Sequence, residues 1–168
     1  NSKNLQTLKN KSMKTFRIGG VHPAENKLSA AEPIKVAELP KVAVFPMGQH
    51  IGAPALPIVQ KGDKVKVGTQ IAKPMENALS TSIFSSVSGT VLKVDTVVEA
   101  SGYKKPAVYI AVEGDEWEES IDRSDKLVTL KDKPELTPES IIEKVKNAGI
   151  VGMGGACFPT HVKLMPPP

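Results

Sequence analysis

Between Lys41 and Val112 apolar and polar residues alternate in short runs broken by Gly, Pro and Ser. VAVF at 42–45, KVKVG at 64–68, TQIA at 69–72, STSIF at 80–84, GTVLKV at 89–94 and AVYIAV at 107–112 each predict a strand, and no 3.6-residue period interrupts them. The pattern changes after Pro134. Thr137 suits an N-cap and Pro138 the first helical position. Ile141, Ile142, Val145 and Ala148 form an apolar stripe, and Gly149 supplies a stop. Glu139 near the start and Lys144 and Lys146 near the end complement the helix dipole. Two regimes follow, β-rich then helical, with a boundary expected between residues 115 and 136.

That connector opens on an acidic run: Glu113, Asp115, Glu116, Glu118, Glu119, Asp122 and Asp125 against a single Arg123. Paired carboxylates could bind a cation or move protons, but the spacing matches no metal loop, and a solvated connector around a partly buried Trp117 accounts for it better. Residues 1–12 have no apolar period and carry Lys3, Lys9 and Lys11 without an acid. They are expected to be a disordered or appended tail before a natural start at Met13.

Composition narrows the function classes. With 168 residues, 40% hydrophobic and 24% charged, the chain can build a core, but no apolar run approaches the roughly 18–20 residues of a membrane span. The net charge of +4 falls to +1 once the three N-terminal lysines are set aside. With aromatics at only 4%, no basic stripe interleaved with aromatics exists to hold nucleic acid. The single cysteine, Cys157, excludes an internal disulfide and a cluster held by this chain alone, since an iron–sulfur cluster takes about four thiolates.

Three motifs carry candidate chemistry. The turn-and-strand segments Gly62-Asp63-x-Val65-x-x-Gly68 and Ser85-x-x-Ser88-Gly89-x-Val91 resemble the hairpins of the barrel-sandwich hybrid fold of biotinyl and lipoyl carrier domains. A carrier would use Lys73 as its attachment lysine, but Ala72-Lys73-Pro74-Met75 lacks the attachment flanks, and a plain surface lysine is the stronger reading. Cys157 and His161 are four apart, a spacing that could present a metal or a nucleophile on one helix face. The intervening Pro159 starts the helix too late for that, and no third ligand is nearby in sequence. The third motif is Gly152-Met153-Gly154-Gly155-Ala156-Cys157-Phe158-Pro159-Thr160-His161-Val162-Lys163. Glycines without Cβ atoms let backbone N–H groups approach an anionic or planar ligand, and Lys163 could supply a point charge for phosphate. A tight structural turn is the competing reading.

The longer string Gly152-x-Gly154-Gly155-Ala156-x-Phe158-Pro159-Thr160-x-x-Lys163 resembles the flavin-binding motif of the NADH-oxidising subunit of respiratory complex I. Met153 stands where those proteins carry Arg, and Cys157 and His161 where they carry Gly. Together with Phe16-Arg17-Ile18-Gly19-Gly20-Val21-His22-Pro23, the wording resembles the C subunit of the Rnf electron transport complex from Met13 to Pro168.

That resemblance implies a peripheral subunit on the cytoplasmic face of the membrane. It would oxidise NADH, reduce FMN and pass electrons through 4Fe-4S clusters outside this chain, within a membrane-bound complex that exchanges electrons with ferredoxin. It implies an α+β chain: a β-rich barrel-sandwich hybrid-like domain at 13–114, the connector 115–136, and the start of a Rossmann-like FMN and NADH domain at 137–168 that would continue past Pro168. Gly152, Gly154, Gly155 and Ala156 would line the flavin, Phe158 would stack on the nicotinamide nucleotide, Thr160 belongs to the same motif, and Lys163 would meet an anion. Two alternatives stand beside it: a docking module without chemistry at residues 41–114, and the carrier at Lys73.

Overall fold

The structure is a computed structural model that describes residues 24–127, 129 and 131–165. The tail at 1–12, Met13, the segment Phe16–Pro23 with His22, and Pro166–Pro168 lie outside the described residues. The chain divides into two compact units, Asn1–Ala37 and Glu38–Pro168. In the first, residues 26–32 form successive turns, and Lys27 pairs with Glu25 at 2.8 Å on the surface.

Among the described residues, the second unit holds seven strands and two helices: β1 (Val42–Pro46), β2 (Leu56–Pro57), β3 (Lys64–Val65), β4 (Gln70–Lys73), β5 (Ile83–Phe84), β6 (Ser88–Val98), β7 (Lys104–Gly114), α1 (Pro138–Asn147) and α2 (Thr160–Lys163). One antiparallel sheet runs β1-β7-β6-β3 and the other β2-β4-β5. Their inner faces share one core. Phe45, Val65, Val91, Val108 and Ile110 come from the first sheet and Ile71, Ala72 and Ile83 from the second, with Met47 fully enclosed between. Each aliphatic side chain fully removed from water contributes roughly 1.5–3 kcal/mol before the cost of ordering the chain.

The turns are where the sequence motifs become structure. At the first, Gly62 takes a φ of +96° and Asp63 accepts the Gln60 N–H at 2.8 Å, which sets up the β3–β6 pairing. At the second, Ser85 Oγ donates to the Val87 carbonyl at 2.6 Å and Ser88 Oγ accepts the Glu116 N–H at 3.0 Å. Gly89 is dictated by space: a Cβ there would sit 1.9 Å from the Ala111 carbonyl oxygen on the neighbouring strand, beside a register shift in β6.

Several expectations are corrected. Only Ile83–Phe84 of the 80–84 run is strand, because Ser80, Thr81 and Ser82 turn inward as a buried polar segment. The 64–68 run ends its strand at Val65, and Leu56–Pro57 adds a strand too short to show a period. The first stretch of the connector is docked rather than simply solvated. Val67 and Trp117 form a parallel bridge, Val67 N–H donates to Glu116 and Glu118 N–H to Val67, and Trp117 stays 37% exposed with Arg123 over its ring at 4.5 Å. The acids hold this edge: Glu113 pairs with Lys64 at 2.8 Å, Glu116 with Lys66 at 2.7 Å, and Glu118 accepts from Thr69. Lys73 is the exposed last residue of β4, paired with Leu56, rather than the tip of a tight hairpin.

Helix α1 has the expected limits. Thr137 and Ser140 form a reciprocal capping box, and Gly149 ends the helix at φ +65° with its N–H on Lys146 and the Ile150 N–H on Val145. A Cβ on Gly149 would stand 2.6 Å from the Ser82 carbonyl oxygen and 2.9 Å from the Phe84 ring, so this stop also seats the helix end on the β unit. The apolar stripe is only half covered: Ile142 and Val145 are half-buried while Ile141 and Ala148 are exposed. Among the described residues after Thr137 no parallel strand is present, and the Rossmann-like portion is not seen.

Candidate functional site

The glycine-rich segment is a closed loop standing on a two-residue neck. Val151 and Pro159 bridge antiparallel, Gly152 N–H donates to Phe158 at 2.9 Å, and Thr160 N–H donates to Ile150 at 3.0 Å. At the tip, Cys157 N–H closes a turn on the Gly154 carbonyl at 3.0 Å, with Cys157 itself in the left-handed region at φ +43°. The loop is braced from behind. Ile51 N–H donates to the Ala156 carbonyl at 3.0 Å, which fixes the loop against the segment that follows β1. Gly48, Gln49, His50 and Ile51 on one side and Gly155, Ala156 and Cys157 on the other line an open depression of about 380 Å³.

The structure sorts the residues singled out from the sequence into two groups. Gly154, Gly155 and Ala156 are exposed at the tip, and a Cβ on either glycine would meet nothing within 4 Å. The N–H groups of Met153, Gly154, Gly155 and Ala156 donate to no described residue. Gly152, Phe158 and Lys163 come together at the neck instead. Lys163 Nζ lies 5.7 Å from the Phe158 ring centroid and 2.8 Å from where a Gly152 Cβ would be. Lys163 is exposed, so its flexible stem can swing from the ring toward a ligand. Thr160 opens α2 and is half-buried. This helix is four residues long, too short to add an appreciable positive end.

Cys157 and His161 part company as Pro159 predicts. Cys157 lies in the loop with Sγ 3.6 Å from the Gly154 carbonyl, while His161 is on α2 and buried. Among the described residues no three His, Cys, Asp or Glu side chains gather as metal ligands. Burial, with Lys146 adding a like charge, pushes the His161 imidazole below its ordinary titration range. His50, also buried, is held at both ring nitrogens: Nδ1 faces the Ile51 carbonyl at 3.1 Å, and Nε2 accepts the Thr81 N–H at 3.3 Å.

His50 and Ile51, which line the depression and brace the loop, are marked by no sequence motif; only the fold brings the segment after β1 to the loop.

Residues 14–115 match the family model of the RnfC barrel sandwich hybrid domain. The chain belongs to this family. Relatives agree along nearly the whole chain: the C subunit of a proton-translocating ferredoxin:NAD(+) oxidoreductase complex from Clostridium ljungdahlii is 44% identical over 158 residues, covering 93% of this chain and 33% of the relative. A Na(+)-translocating counterpart from Acetobacterium woodii is 44% identical, covering 92% and 33%. The C subunit of an ion-translocating oxidoreductase complex from Pseudomonas aeruginosa is 38% identical, covering 91% and 19%. The chain thus spans about a third or less of the relatives' length. The RnfC match ends at residue 115, before α1, and does not include the glycine-rich loop. No helix among the described residues is long and apolar enough to cross a membrane.

Proposed function

We propose that the chain is the N-terminal part of the NADH-oxidising, electron-transferring RnfC subunit of an Rnf-type ion-translocating ferredoxin:NAD oxidoreductase, peripheral on the cytoplasmic face of its membrane complex. The observation that carries the reading is the loop tip: successive backbone N–H groups without partners among the described residues, on residues with no side chain or a methyl, beside an open depression. Such a tip accepts the polar edge of a planar cofactor, because bare main chain can approach more closely than any side chain. The residues fit FMN as one wall of its site.

FMN, when bound, supplies the hydride acceptor for NADH, and the protein contributes orientation and electrostatics. The tip amides of Gly154, Gly155 and Ala156 donate to cofactor acceptors. Phe158 offers an aromatic face to a nucleotide base, and Lys163 brings the cation of the neck to a phosphate. The 4Fe-4S clusters that take the electrons onward are held by the rest of the subunit, and ferredoxin is a partner of the assembled complex. The β unit, with its charged outer edges, is the part that docks on the other subunits, so the interaction reading and the redox reading apply to different residues. The carrier reading finds no support in the position of Lys73, and an intact mass equal to that of the unmodified sequence would remove it.

Full-length subunit carrying Gly155→Val or Gly154→Val, purified and assayed for flavin content, tests the assignment. Occupancy well below wild type is expected, and wild-type occupancy would refute it. The 168 residues alone present a single wall open to solvent, so flavin fluorescence titration is expected to show weak binding or none, and tight one-to-one quenching would overturn that account.

A further inference from the structure

The depression at the glycine-rich tip has a second wall, supplied by the segment after β1, and the backbone of that segment is anchored on both sides of Gln49. Met47, fully buried, donates its N–H to the Pro106 carbonyl at 2.8 Å and accepts the Ala55 N–H at 2.9 Å. On the other side His50 accepts the Thr81 N–H, and the Ile51 N–H ends on Ala156 of the loop itself. Between these anchors Gln49 is exposed, and its side-chain amide has no hydrogen-bond partner among the described residues. It lines the depression of about 380 Å³ together with Gly155 and Ala156, and it also borders a smaller cavity of about 150 Å³ that reaches Val151 at the neck.

The lining decides which part of a flavin nucleotide suits this place. No lysine or arginine among the described residues lines the depression. A carboxylate, Glu99 from the turn between β6 and β7, stands 3.5 Å from where a Gly48 Cβ would be. A phosphate is therefore disfavoured here and better placed by Lys163 at the neck, whereas a neutral polar ring edge carries no charge to repel. The pyrimidine edge of an isoalloxazine reads carbonyl, N–H, carbonyl. The tip amides of Gly155 and Ala156 serve its carbonyls but cannot accept from its N3–H, and a buried N–H left without an acceptor costs about 1–3 kcal/mol. The loop carbonyls of Gly154 and Ala156 are already taken, by the Cys157 and Ile51 N–H groups. Of the polar side chains on the lining, His50 is held at both nitrogens and Cys157 Sγ faces Gly154, which leaves Gln49.

We propose that Gln49 is a specificity-determining residue that recognises the pyrimidine edge of the flavin, its amide oxygen accepting from the ring N3–H and its NH2 group donating to a neighbouring ring carbonyl. This rests on the flavin reading of the glycine-rich loop and extends the site to the β unit, so that two segments about a hundred residues apart in sequence hold one ring. The brace from Ile51 to Ala156 is what keeps the two walls in register.

The test is titration of full-length subunit, stripped of flavin, with FMN and with N3-methyl-FMN, whose N3 cannot donate. Wild type should bind FMN about ten-fold tighter than the methylated analogue, the equivalent of one to two neutral hydrogen bonds. Gln49→Ala, an exposed change, should weaken FMN about ten-fold and bind the two flavins alike. Gln49→Glu, which keeps the length but sets an acceptor against a ring carbonyl, should bind FMN no better than Gln49→Ala. A purely structural role for Gln49 would weaken both flavins equally and leave the preference intact. That result, unchanged FMN affinity in Gln49→Ala, or no preference in wild type would overturn the proposal. Gly155→Val in the same titration separates the two readings. If it lowers FMN affinity while Gln49→Ala does not, only the role of Gln49 falls; if it leaves FMN affinity at the wild-type value, the flavin reading of the loop falls and takes this proposal with it.

Discussion

At the residue scale the glycines separate two kinds of requirement. Gly89 has the Ala111 carbonyl oxygen where its Cβ would be, so Gly89→Ala forces β6 away from β7. Its expected cost is about 1–3 kcal/mol, the range for overpacking a filled site, read as a lowered midpoint in urea denaturation. Gly154 and Gly155 face open space and do not take positive φ. Valine at either position should therefore leave the midpoint within about 0.5 kcal/mol of wild type, as surface changes do. A large stability loss there would mean the tip is needed for folding, which is the structural-turn reading. The sequence shows three glycines in four positions without distinguishing these cases, because what decides is the distance to a neighbour on another strand.

At the element scale, α1 is fully legible in the sequence and the short strands are not. Thr137, Pro138 and Gly149 act on the backbone within a turn of themselves, so a local pattern is enough to locate the helix ends. Thr137→Ala removes the hydroxyl that accepts the Ser140 N–H and should cost about 1 kcal/mol, measurable by thermal denaturation. Gly149→Ala should cost more than the 0.4–1 kcal/mol scale of a compatible glycine change, roughly 1–3 kcal/mol, because it meets a positive φ and the Ser82 carbonyl together. Loss of the α1 stop should appear as faster hydrogen exchange at Ile150 and Thr160, whose N–H groups hold the neck of the loop. By contrast, Leu56–Pro57 and Ile83–Phe84 are too brief to carry a period. Ser80–Ser82, whose alternation predicts strand, turn inward because His50 takes the Thr81 N–H. That partner lies 31 residues away, beyond the reach of any local rule.

For the molecule as a whole, the candidate site is legible as a motif but not as a place. The glycine-rich string marks the loop, while its brace at Ile51, its seat on Ser82 and Phe84, and the burial of His161 arise only when the β unit folds. This buried polar layer makes stability depend on pH in a definite direction. His161 is held neutral in the fold by burial and by Lys146, whereas in the unfolded chain it titrates near about 6.5. Between that value and its lower folded midpoint the unfolded state binds the extra proton, so stability declines as pH falls through this window. Below the folded midpoint the loss from this residue is complete. Exposed Glu113 and Asp95, held low chiefly by hydrogen bonds from Lys64 and Lys93, keep their contribution to more acidic pH and lose it only as they protonate, below the usual carboxylate range. Denaturation midpoints measured across this range for wild type and His161→Gln isolate the first step, since Gln cannot titrate. The wild-type midpoint, taken relative to that of His161→Gln, should fall steadily from neutral pH down to the folded midpoint and be flat at higher pH. Parallel profiles throughout would mean that His161 is protonated as readily in the fold as in water, and that the layer joining α2 to the β unit is open to solvent.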